Sequence, residues 1–236
     1  MASLKRNIAL LIDADNASPS TLDAALTILG DLGTVNVRRI YGNWSRQALK
    51  GWAALVHRHA LEPQQQFDLT KGKNATDMKM TIDAMDLLYG GHVDGFGIMS
   101  SDSDFMPLAI RIRQNGTPVY GFGTRRTPEA FREACTRFID LDALAAGESR
   151  EAQGGEAPST LAVDEELLKL LGDAWKASTR DDDGFASLSE VGQRVANRSS
   201  FDARSYGFTR LSELVQSLPN FATEKRDSGL FIKRLR

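Results

Sequence analysis

Asn7-Ile8-Ala9-Leu10-Leu11-Ile12-Asp13-Ala14-Asp15-Asn16 is the stretch that decides the fold. The run that ends at Ile12 is short and continuously apolar, the mark of a parallel strand buried on both faces. Two aspartates and an asparagine follow at once. The same arrangement recurs downstream, where the apolar run Gly95-Phe96-Gly97-Ile98-Met99 leads into Ser101-Asp102-Ser103-Asp104-Phe105. Carboxylates at the tips of parallel strands gather above the sheet, and gathered carboxylates need a cation or protons to coexist. A divalent metal site is the leading expectation, and phosphoryl chemistry is its natural use.

Working outward, residues 35–41 alternate and are β-branched, so they read as a second strand. Residues 20–31 and 45–59 have helical patterns, 61–69 look extended, and 70–76 form a polar, glycine-containing loop. Residues 77–89 predict a helix in which Met78, Ile82, Met85 and Leu88 or Tyr89 recur near 3.6-residue spacing. Gly90-Gly91 ends it. A helix over 104–114, a strand over 118–122, a short helix over 128–135 and a strand over 138–141 complete the first part. Strands alternating with helices imply an α/β unit, a parallel sheet covered on both faces.

Residues 145–160 have almost nothing apolar to bury and read as a flexible linker. The expected organisation is a first domain over 1–145, a linker over 146–160 and a second domain over 161–236. In the second, helices are expected over 164–176, 187–197 and 207–218, with Ser187 as the cap of the middle one and Glu190 three residues on. Two strands follow, around Arg226-Asp227-Ser228-Gly229. Three helices and a hairpin predict a winged-helix module.

The bulk numbers narrow the function classes. A chain of 236 residues with 42% apolar content has material for a real core, and its net charge of −2 does not mark a general polyanion binder. The average hides nine Lys+Arg against five Asp+Glu from Gly184 to Arg236. One cysteine, Cys135, excludes an intramolecular disulfide and a cysteine-based zinc site. His57 and His59 stand two apart on a helical pattern, facing different ways, and neither they nor His92 suggest a histidine site. No apolar run is long enough to span a bilayer and no signal-peptide pattern opens the chain, so a cytoplasmic protein is expected.

The acids are the candidate site: Asp13, Asp77, Asp102 and Asp104 as catalytic and metal-holding residues. An all-oxygen set suits Mg²⁺ or Mn²⁺. Each acid also has a plain structural role, since Asp104 stands where a helix N-cap belongs and Asp77 opens a helix whose dipole favours a carboxylate. Their combination is what points to an ion. Asp83 and Asp86 lie six and nine residues after Asp77 and fit a solvated helix face or a helix salt bridge better than the crevice.

The segments 11–16, 73–86, 93–96, 100–108 and 119–123 together resemble the NYN domain, the PIN-like nuclease family whose bacterial branch is called LabA-like. The resemblance covers about residues 5–144. It implies a PIN-like, Rossmann-like sandwich and metal-dependent RNA cleavage, with the metal-site acids at Asp13, Asp77 and Asp102 and a fourth at Asp104. Asn16 matches the asparagine that supports the first acid or the substrate. Ser101 stands where the family more often has glycine, and Lys73 precedes the second acid; with Asn16 these are the candidate substrate-binding residues. Hydrolysis would leave a 5′-phosphate and a 3′-hydroxyl.

Residues 188–192, 201–208 and 211–214 resemble the LOTUS domain, also called OST-HTH, over about 161–235. This implies an RNA-binding or protein-binding adaptor, with Arg194, Arg198, Arg204, Arg210, Lys225 and Arg226 as candidate phosphate contacts. The Asp181-Asp182-Asp183-Gly184 run lacks the closing glutamate of an EF-hand and reads as a turn. The favoured function is an RNA-cleaving enzyme; the alternatives are a non-catalytic RNA-binding scaffold and, far behind, a phosphatase using Asp13 as nucleophile.

Overall fold

β1 (Asn7–Asp13) has a parallel neighbour on each side, β2 (Thr34–Gly42) and β4 (Gly95–Met99). Such a strand faces packed helices above and below, so both its faces must be apolar. Ile8, Leu10, Leu11 and Ile12 are all fully buried, each large side chain contributing roughly 1.5–3 kcal/mol. The sheet continues through β3 (Glu62–Gln65) beyond β2, and through β5 (Val119–Gly123) and β6 (Arg137–Asp140) beyond β4. All pairings are parallel, in the order β3-β2-β1-β4-β5-β6. β3 is short, polar and carries Pro63, as suits an edge strand. The structure is a computed structural model that describes residues 6–67, 75–144 and 165–235. Lys73 and the expected linker 146–160 lie outside the described residues.

One face of the sheet receives α1 (Leu22–Leu32). Gly97 leaves room there for Leu29 and Leu10, either of which would lie within 3.1 Å of an added methyl. The other face receives α3 (Ala75–Tyr89), α4 (Met106–Gln114) and α5 (Glu129–Ala134) over a core that includes Ala9, Leu11, Met80, Phe96, Leu108 and Phe131. The helix expected over 45–59 is instead a tight turn at Gln47–Trp52 followed by the short α2 (Ala53–Arg58); Gly51 disfavours a long helix there. The helix expected from 104 begins at Met106, with Pro107 in its first turn where the missing N–H costs nothing.

α3 reverses an expectation. Its buried residues are Thr76, Met80, Asp83, Ala84 and Leu88, whereas Met78, Ile82 and Tyr89 are 63%, 51% and 62% exposed. Two apolar stripes share the helix, and periodicity cannot rank them. The stripe holding the small Ala84 lets the helix close on the sheet.

The chain divides into two units, Met1–Asp142 and Ala143–Arg236. In the second, α6 (Glu165–Ala177), α7 (Leu188–Arg198) and α8 (Leu211–Ser217) enclose Leu167, Leu171, Val191, Val195, Leu214 and Ile232. An antiparallel sheet of β7 (Ala186–Ser187), β9 (Gly229–Arg234) and β8 (Phe221–Arg226), in that order, supplies the wing. Arg226 pairs with Gly229 across a two-residue turn, and Gly229 has φ +128°. Ser187 precedes α7 without a side-chain capping bond, and the Glu190 carboxylate accepts instead from Arg194 and from the Thr179 N–H. Among the described residues, no helix is long and apolar enough to cross a membrane.

β5 comes close to the chain that leaves β4. A methyl added at Gly123 would lie 2.4 Å from Thr127 Oγ1 and 2.9 Å from the Ser100 carbonyl oxygen. Backbone cannot swing aside as a flexible side chain does, so Gly123→Ala is expected to destabilise the protein by about 1–3 kcal/mol. A lowered urea midpoint would show it, and an unchanged midpoint would contradict the contact.

Candidate metal centre

With this strand order the connections leave β1 and β4 toward opposite faces, which opens a crevice above the carboxyl ends of those two strands. Asp13, the last residue of β1, lies there with only 1% of its surface exposed. Its Oδ2 accepts hydrogen bonds from the Asn16 amide and the Ser100 hydroxyl, each at 2.8 Å. Its Oδ1 accepts from the Asp15 N–H at 3.2 Å. Burial raises the Asp13 pKa, and the Asn16 and Ser100 donors oppose that rise.

Ser100 joins the two acidic motifs. Its hydroxyl donates to Asp13 and accepts from the Asp102 N–H at 3.1 Å, the two roles a hydroxyl fills at once. Asp102 then caps the turn Ser103–Phe105, its Oδ1 accepting from the Asp104 N–H at 2.9 Å. The cap expected of Asp104 thus belongs to Asp102, whose extended backbone is what a capping residue requires. Sequence reasoning passed over Ser100, although a hydroxyl directly after a fully buried strand was the available signal.

Asp77 enters from the first turn of α3. One carboxylate oxygen from each of Asp77, Asp102 and Asp104 falls within 4.8 Å of the others. Asp13 stands outside that trio. Asp77 is pushed up to about 6, first by burial and then by the charges of Asp13, Asp102, Asp104 and Asp15. Three oxygen donors in mutual repulsion, with no sulfur or imidazole among them, fit a hard divalent cation.

Asn16 and Ser101 line a cleft of about 710 Å³ together with Thr124 and Arg126. Ser101 Oγ accepts from the Thr124 N–H at 3.1 Å, so the serine also ties this loop to the end of β5. Arg126, an exposed cation in that cleft, was not singled out from the sequence. Asp83 is buried away from the acidic trio. It accepts from Tyr41 Oη at 3.1 Å and Lys79 Nζ at 2.7 Å, with Arg39 at 3.5 Å. It therefore forms the helix salt bridge and not the solvated alternative, while Asp86 is exposed. Cys135 is a buried thiol pushed up to about 12 by desolvation.

In the second unit, three of the six candidate cations are held by carboxylates. Arg194 pairs with Glu190 at 2.8 Å and Arg204 with Asp202 at 3.4 Å. Arg226 bridges Asp181 at 2.6 Å and Glu224 at 2.8 Å, above the Phe231 ring. Asp181 also accepts from the Phe185 N–H, which makes the acidic run a turn as expected. Arg198, Arg210 and Lys225 are exposed, and α8 carries no cation of its own.

The profile of the NYN domain matches residues 7–142, more than half of the chain. The protein belongs to the NYN domain family. A second profile, the OST-HTH/LOTUS domain, matches residues 159–232 of this NYN protein. NYN domains belong to the PIN-like nuclease superfamily, whose members typically use divalent metals, and OST-HTH/LOTUS domains are generally RNA-associated. An uncharacterized protein of Methanocaldococcus jannaschii is 26% identical over 123 residues, which is 50% of this chain and 48% of the relative. The chain thus spans about half the length of that relative. The crystal structure of a protein of unknown function from Vibrio parahaemolyticus aligns over 60% of this chain and 96% of its own, at 20% identity and a TM-score of 0.49.

The raised Asp77 pKa sets the sign of a pH effect. A carboxyl that ionises less readily when folded imposes no penalty below its unfolded value of 3.8, and the penalty grows as pH rises toward about 6. Asp77→Asn is therefore expected to raise the Tm of the metal-free NYN protein by a few degrees at neutral pH and to leave it unchanged near pH 4. Thermal melts in EDTA across pH measure this. Parallel curves for the two proteins would contradict the crowding of these acids.

Proposed function

We propose that this NYN protein is a metal-dependent ribonuclease that hydrolyses RNA phosphodiester bonds, with its OST-HTH/LOTUS unit holding RNA or a protein partner. The convergence of Asp77, Asp102 and Asp104 carries the reading. These three, with Asp13 as the fourth acid of the site, would hold Mg²⁺ or Mn²⁺. Bound there, such an ion lowers the pKa of a water molecule and neutralises charge on the phosphate. Asp13 adds a buried negative charge beside the trio, and its three donors keep it from turning away. The same donors make Asp13 a poor covalent nucleophile, which argues against the phosphatase alternative.

Asn16, Ser101 and Arg126 in the adjoining cleft would position RNA, with Arg126 as the cation for a phosphate. Lys73 retains a proposed substrate role from its place in the sequence just before α3. Carrying the RNA-associated unit on the same chain raises the local concentration of substrate without adding contacts at the reacting phosphate.

Labelled single-stranded and structured RNAs incubated with Mn²⁺, Mg²⁺ or EDTA provide the test. Wild type is expected to cut only with metal, leaving 5′-phosphate and 3′-hydroxyl ends, and Asp102→Asn is expected to abolish cutting. Ser100→Ala, which removes a donor supporting Asp13, is expected to lower activity roughly 10–100-fold. RNA binding without cleavage on every substrate would replace this reading with the non-catalytic scaffold.

A further inference from the structure

α3 presents a second apolar face to solvent. Met78, Ile82 and Tyr89 are largely exposed, with the partly buried Met85 at their border. At 100° per residue these four lie in one stripe, spaced by four, three and four residues, which is the spacing with which two helices pack along a seam. Met80, Ala84 and Leu88, on the opposite side, already meet the sheet. The protein's own core therefore cannot use the outer stripe. Ile110, on the neighbouring α4, is also exposed, at 39%. Contiguous exposed apolar surface of this kind marks an interaction site.

The charges around the stripe choose the occupant. Lys79 is held by Asp83, and Asp77 and Asp86 flank the same helix, a poor setting for RNA phosphates. The two ends of the stripe differ in sign. Asp77 stands at the start of α3 with Asp102 and Asp104 beside it. At the other end the Arg111 guanidinium lies over the Tyr89 ring and donates to its hydroxyl. A surface that is apolar in the middle and opposite in charge at its ends is complementary to itself under a two-fold axis. An antiparallel apposition brings Met78 against the partner's Tyr89 and Ile82 against the partner's Met85. It also places the partner's Arg111 at the acidic end of α3 and sets the two helix dipoles head to tail.

We infer that two copies of this chain associate through the outer face of α3, each setting its Arg111 beside the other's acidic site. The test uses the full chain. Light scattering and sedimentation are expected to find a dimer for wild type, and Ile82→Asp, a change at an exposed position, is expected to weaken self-association by roughly tenfold or more with an unaltered melting curve. Mild oxidation of an Ile82→Cys/Met85→Cys variant is expected to give a disulfide-linked dimer, since the buried Cys135 does not compete. A monomer at all concentrations would overturn the inference, as would a dimer that tolerates Ile82→Asp. So would a variant that neither cross-links nor reacts with thiol reagents at position 82, which would mean that another part of the chain covers the face.

Discussion

The site rests on the electrostatic cost of holding several carboxylates together at the ends of two parallel strands. Asp13 loses nearly all contact with water at the tip of β1, and an ionised carboxylate tolerates that only where donors replace the lost solvent. Asn16 and Ser100 supply them. Asp77 also loses solvent but meets the charges of four neighbouring aspartates, so the excess repulsion is concentrated on it. A cation would relieve that repulsion.

The sheet is what brings these acids together. β1 and β4 are adjacent, although 81 residues lie between the last position of β1, Asp13, and the first of β4, Gly95. Glycine lets the layers close: Gly97 accommodates Leu29, and Gly123 admits the Ser100 carbonyl. Ser100 then converts proximity into a bond, because one hydroxyl serves the carboxylate after β1 and the backbone N–H after β4. Membership of the NYN domain family agrees with this arrangement, in which the strand order and the acidic trio belong to one unit.

α3 serves three surfaces at once. Its inner stripe packs on the sheet, its first turn delivers Asp77, and its outer stripe stays apolar. Asp83, which the helix carries inward, is neutralised by Lys79 and Arg39 and bonded to Tyr41, so a charge near the core is paired rather than exposed. In the OST-HTH/LOTUS unit, Arg194, Arg204 and Arg226 are likewise committed to carboxylates. Of the six candidate cations, Arg198, Arg210 and Lys225 are instead exposed.

The apolar runs ending at Ile12 and Met99 determined by themselves that two buried parallel strands would present aspartates at their tips, because a strand buried on both faces requires continuous apolar sequence. The winged-helix character of the second unit was legible for a similar reason, since its three apolar patterns and its hairpin turn are local signals. Only the tertiary structure decided which stripe of α3 is buried, because two stripes of equal periodicity are separated by fit against the sheet and by nothing local. It also decided that Ser100 holds Asp13, that Asp102 takes the cap and that Asp83 turns inward. The Ser100 and Asp83 assignments depend on contacts between residues far apart in the chain, where burial leaves each polar atom to find whichever partner the packing brings within reach.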